Sequence, residues 1–99
     1  MTIKYQFLHM KNHEWMEDFV MEKLEKLAKK YPWANHANVF FKVDKGANSE
    51  QNTCEIELSV PGPKLFAKTS ADTFEMSVLR TIDTLGKLLK KRKAKMYQH

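Results

Sequence analysis

Residues Thr53–Val60 alternate without a break: Cys54, Ile56, Leu58 and Val60 on one side, Thr53, Glu55, Glu57 and Ser59 on the other. Side chains of a strand point to opposite faces with a period of two, so this segment buries one face and leaves the other to water. That constrains the whole chain. It needs a sheet with a single covered face, and the remaining segments must supply both the neighbouring strands and the covering layer. Pro61-Gly62-Pro63 then closes the strand in a tight turn.

The rest of the sequence supplies those parts. Thr2–Leu8 sets Ile3, Tyr5 and Phe7 against Lys4, Gln6 and Leu8, a short strand. Asn12 stands as an N-cap for a helix in which Trp15, Met16, Phe19, Val20, Leu24, Leu27 and Tyr31 recur at helical spacing, and Pro32 stops it by Lys30 or Tyr31. Acids early in this helix and lysines in its last turns suit the macrodipole. Val39, Phe41 and Val43 alternate in a second strand, and the run Asp44–Asn52, with Gly46 and several Asn and Ser residues, reads as a hairpin loop. After the strand at 53–60, Leu65–Thr69 is a fourth. Asp72 or Thr73 caps a long final helix with an apolar line of Phe74, Val78, Ile82, Leu85 and Leu89. The order β-α-β-β-β-α predicts an α+β, two-layer fold: a four-stranded sheet with both helices on one face. No linker or repeat divides residues 1–99, so a single domain is expected.

Charge is distributed unevenly over this framework. From Arg80 to His99 there are seven basic residues and one acid, Asp83, while residues 1–79 are close to neutral; the chain as a whole carries +5. A basic helix is an anion-binding surface, and nucleic acids are the commonest cellular polyanions. At roughly 100° per residue, Arg80, Lys87 and Lys91 fall opposite the final helix's apolar line, flanked by Lys90 and Lys95. In the first helix Lys23, Lys26 and Lys30 flank the core line and are expected to face the neighbouring helix. The two stripes predict a basic groove, floored by Lys23, Lys26 and Lys30 and walled by the C-terminal ridge, able to straddle a phosphate backbone. A helix dipole calls for one or two terminal cations, fewer than are present. Contact with about six phosphates would give a log K versus log salt slope near −5, or near −4 for single strands.

Other chemistry finds little support. One cysteine, Cys54, excludes an intrachain disulfide and fits a reducing, cytoplasmic location. No segment reads as a secretion signal or a membrane span. His9, His13, His36 and His99 lack metal-ligand spacing, Cys54 alternates inward with Ile56 and Leu58 as a packed thiol, and no phosphate loop, nucleophile elbow or carboxylate pair is present. No enzyme, metal, cofactor or small-molecule substrate is expected. Phe40 and Phe66 fall on the open sheet face, where base stacking is weighed against ordinary surface packing, the simpler reading.

Val60-Pro-Gly-Pro-Lys-Leu-Phe-Ala-Lys68, with Thr73-Phe-Glu75, Ile82-Asp83, Leu89-Lys-Lys-Arg-Lys93 and, in the first helix, Asp18-Phe19-Val20, Lys23-Leu24 and Lys26-Leu27, resembles the ribosome hibernation-promoting factors, also called ribosome-associated inhibitors or sigma-54 modulation proteins. The resemblance covers nearly the whole chain, and the uncharged Val-Pro-Gly…Leu-Phe-Ala-Lys segment is its most specific part. It implies a fold similar to a double-stranded-RNA-binding domain with an added strand. It also implies binding to 16S rRNA of the small ribosomal subunit at the decoding region, where mRNA and tRNA are occluded. By position, it assigns rRNA contact to Lys23, Lys26, Lys30, Arg80, Lys87, Lys90, Lys91, Arg92 and Lys93; the ridge adds Lys95. With the chain ending at His99, the similarity is to short forms, without the domain by which long forms pair ribosomes, and a monomer off the ribosome is expected. Thr84, Gly86 and Leu88 stand where the family is more polar or basic. Two other readings remain: a stand-alone double-stranded-RNA-binding module, and an adaptor whose basic helix docks an acidic protein.

Overall fold

The structure, a computed structural model, describes residues 1–45 and 50–97. The elements are β1 (Thr2–Leu8), α1 (Glu14–Lys30), β2 (His36–Lys45), β3 (Glu50–Ser59), β4 (Leu65–Ala71) and α2 (Phe74–Met96). The sheet runs β1-β2-β3-β4. β1 pairs parallel to β2 across the α1 connection, and β2, β3 and β4 pair antiparallel. It is an α+β, mixed four-stranded sheet.

Register makes the alternation of β3 into a layer. Val39 lies opposite Ile56, and Ile56 opposite Ala67; Phe41 lies opposite Cys54, and Ala37 opposite Leu58. All of these are buried in one cluster with Met16, Val20 and Leu24 of α1 and Val78, Leu85 and Leu89 of α2, so both helices cover the same face. Phe41 ties three elements, stacking on Phe7 at 5.0 Å and meeting Phe74 edge-on at 5.8 Å between centroids. Each aromatic pair of this kind adds about 0.5–1.5 kcal/mol to simple burial.

Several local expectations are corrected. The N-cap of α1 is His13, not Asn12, and its side chain caps nothing. Trp15, at the first turn, is exposed rather than part of the core. The hairpin is tighter than a loop over 44–52: Asp44 pairs with Gln51 and Lys45 with Glu50, so both strands run further, and residues 46–49 lie outside the described residues. Thr53, on the polar face of β3, is nevertheless only 3% exposed, and its hydroxyl pairs with that of Ser70 directly across in β4 at 2.7 Å. Thr73, of the two candidates, caps α2, accepting from the Met76 amide at 3.2 Å. The Pro32-Trp33 corner is a four-residue turn closed by the Ala34 amide donating to the Tyr31 carbonyl at 2.9 Å, with Pro32 at its second position, where a fixed φ is favourable. Trp33 seals it edge-on against the buried Tyr31 ring.

Candidate nucleic-acid interface

α2 is built from a buried face that ends at Leu89 and a charged extension that continues to Met96. Its buried residues are Ser77, Val78, Thr81, Leu85 and Leu89. Twenty-three helical residues span roughly 34 Å, against about 23 Å for the seven-residue strand β4 beside it. The helix therefore runs past its buried face, and Lys90, Lys91, Lys93 and Lys95 are all exposed there. Ser77 and Thr81 extend the sheet-facing stripe beyond the apolar line. The Thr81 hydroxyl lies 2.7 Å from the Ser77 carbonyl and 3.2 Å from the Cys54 carbonyl of β3.

Where the two helices meet, they leave a cleft of about 360 Å³ lined by Leu27, Lys30 and Tyr31 from α1 and Ile82, Asp83, Gly86, Lys87 and Lys90 from α2. Tyr31 is buried and Leu27, Ile82 and Gly86 are half-buried, whereas Lys30, Asp83, Lys87 and Lys90 are exposed. The floor is thus apolar and the rim charged, in contrast to the lysine floor expected from the helical wheel. Of the ten basic residues singled out in the sequence, this cleft brings together Lys30, Lys87 and Lys90. Lys23 instead lies over the Phe19 ring at 5.4 Å, and Lys26 pairs with Glu22 at 3.7 Å. Lys30 sits 5.8 Å from the centre of the Tyr31 ring, and Lys87 pairs with Asp83 at 3.2 Å. Both ion pairs are exposed and i,i+4, a geometry that holds side chains only weakly.

Arg80 and Arg92 stand apart from the cleft. Arg80 lines a hollow of about 480 Å³ at the start of α2 with Gln51, Ser70, Ala71, Asp72, Thr73 and Met76. Arg92 reaches away from the ridge: its Nη1 donates to the Pro61 carbonyl at 2.7 Å and the Pro63 carbonyl at 2.8 Å, clasping the β3–β4 turn. Twelve residues after Arg80, it points roughly 120° from it, toward the sheet side. The wheel held that signal, and the residue type hid it. Leu27, Tyr31, Ile82 and Gly86 are the cleft residues that a search for charge passes over.

The remaining chemistry of the described residues is quiet. Burial pushes the Cys54 thiol up to about 12, with the Thr81 hydroxyl working weakly against it and Glu55 with it, so no thiolate forms near neutrality. On the open face Lys64 hydrogen-bonds Glu57 at 2.8 Å and holds its carboxyl below the usual range. Burial beneath α1, followed by Glu17, Asp18 and Glu25, raises the Tyr5 phenol. Among the described residues, no three His, Cys, Asp or Glu side chains gather as a metal site requires, and no helix is long and apolar enough to cross a membrane. Phe66 is 56% exposed on β4 and Phe40 half-buried on β2, with β3 between them.

Comparison with known proteins gives the fold a family. The structure is similar to a ribosomal subunit interface protein from Coxiella burnetii, with a TM-score of 0.84 at 17% identity over 95% of this chain and 99% of that one. It is similar also to the Thermus thermophilus Protein Y N-terminal domain, with a TM-score of 0.80 at 20% identity over 92% of this chain and 98% of that one. Identity this low speaks for a shared fold alone. No curated protein matches the sequence. The family model described as sigma 54 modulation protein / S30EA ribosomal protein matches residues 3–97, from the second residue of β1 through the end of α2, and the chain belongs to that family.

Proposed function

We propose that this protein is a ribosome-associated translation inhibitor that binds the small subunit at its decoding region and excludes mRNA and tRNA by occupying their space. The observation that carries the reading is the meeting of Lys30, Lys87 and Lys90 on two helices at one cleft, continued by exposed Lys91, Lys93 and Lys95 along the α2 extension. Cations on two helices fix an RNA backbone in position as well as attract it, which a single solvated helix face does not. Family membership and the ribosomal subunit interface protein among the solved relatives support the same partner. Inhibition needs no chemistry, since a bound domain across the mRNA path suffices. Arg92 acts in this reading through the turn it clasps, and Lys23 and Lys26 act as peripheral charge.

Sucrose-gradient sedimentation with purified ribosomal subunits tests the proposal. The protein is expected to travel with the small subunit at low salt, to be released at high salt, and to inhibit translation in vitro. Lys87→Gln, Lys90→Gln and Lys91→Gln together should weaken co-sedimentation, so that the protein leaves the subunit at lower salt. Sedimentation unchanged by the triple substitution overturns the cleft as the binding surface. Equal affinity for free RNA duplex and for subunits favours a stand-alone duplex-binding module instead.

A further inference from the structure

The α1–α2 cleft has features that gripping phosphate does not require. Its floor of Leu27, Tyr31, Ile82 and Gly86 is apolar, and at Gly86 the helix presents bare backbone: a Cβ there would meet only Leu27 Cδ2, at 3.8 Å. Its rim carries Asp83, the only acid between Arg80 and His99. A carboxylate on a surface made for phosphate opposes binding, and its partner Lys87 holds it only through an exposed i,i+4 pair. Beside an apolar floor, however, a carboxylate can accept hydrogen bonds from the N–H edge of a base.

We propose that this cleft receives one unstacked nucleobase of RNA, its ring against the Leu27–Tyr31–Ile82–Gly86 floor and its N–H edge on Asp83, while Lys30, Lys87 and Lys90 hold the flanking phosphates. The proposal rests on the nucleic-acid reading above and names the part of the ligand that this site takes. Guanine suits the acceptor best, because its N1–H and N2–H lie side by side and a carboxylate accepts two parallel hydrogen bonds. Uracil, with one N–H between two carbonyl oxygens, suits it least. An RNA duplex keeps these edges paired, so the cleft selects unpaired RNA, as sequence-reading RNA sites do.

Fluorescence anisotropy at low salt tests this with a ten-nucleotide oligouridine, the same oligomer carrying one central guanosine, and a duplex of equal length. The protein should bind the guanosine oligomer about tenfold more tightly than oligouridine, the lower range for one base read through two hydrogen bonds. Asp83→Ala should erase that preference, and so should Gly86→Leu, which fills the cleft from its half-buried floor and is checked for folding by circular dichroism. If the protein shows no base preference, or if Asp83→Ala tightens binding to every RNA alike, the base receptor is wrong and Asp83 is a surface ion pair. Small-subunit co-sedimentation without any base preference sinks this inference alone. Failure to bind any RNA or subunit sinks the nucleic-acid reading together with it.

Discussion

Cys54 and Thr81 show what single residues decide here. Cys54 was legible as an inward thiol because it alternates with Ile56 and Leu58. Its neighbour was not legible: Thr81 lies 27 residues away, and only the packing of α2 on β3 brings its hydroxyl to the Cys54 carbonyl. The thiol consequence is measurable. A cysteine that ionises near 9 when unfolded and near 12 when folded leaves stability intact below about 9. Above that the unfolded chain binds fewer protons than the folded one, and stability falls with rising pH until the folded thiol also ionises. At pH 10.5 the loss is roughly 2 kcal/mol. Urea unfolding at pH 7.5 and 10.5 should show the native protein losing about that much more than Cys54→Ala, and equal losses would mean the thiol is reached by solvent.

At the scale of elements, the turn between β3 and β4 is held by the far end of α2. Gly62 adopts a φ of +89°, and a Cβ there would stand 3.1 Å from Arg92 Nη1. Gly62→Ala therefore meets both backbone strain and the clasp, a cost of about 1–2 kcal/mol. Arg92→Ala gives up hydrogen bonds from a charged group to two carbonyls at the surface, about 1 kcal/mol. Since both changes loosen one turn, the double variant should be less unstable than the two costs added, and a double-mutant cycle on denaturation midpoints reads that coupling. Strict additivity would mean the clasp does not hold the turn. The elements themselves were legible wherever alternation or helical spacing persisted, as in β1, β3 and both helices. The strand ends near 44 and 51 were not, because pairing across a hairpin carries polar residues such as Asp44 and Gln51 into a ladder that composition assigns to a loop. The candidate site divides along the same line. Its lysines stand out as charge, whereas the apolar floor contributed by Tyr31 and Gly86 becomes visible only when two helices are set side by side.

Over the whole molecule, charge follows mechanical support. The near-neutral part of the chain builds the sheet, α1 and the start of α2, and nearly all the surplus cations ride on the helix that outruns the buried face. Such a helix gives up little by carrying like charges, since each is solvated and screened on its own. It also presents them along a line that extends the α1–α2 cleft. Two paths for RNA across this surface give different salt dependences. If the backbone follows the cleft and the α2 extension, replacing Lys87, Lys90 and Lys91 by glutamine removes about three phosphate contacts and makes the log K versus log salt slope shallower by about 2. Lys23→Gln with Lys26→Gln should then shift the slope by less than about 1, because those side chains lie on Phe19 and Glu22 rather than at the cleft. A salt titration of small-subunit or single-stranded RNA binding for both variants separates the paths. The reverse ranking would run the RNA along the outer face of α1, and the α2 extension would then be left with solvation as its only role.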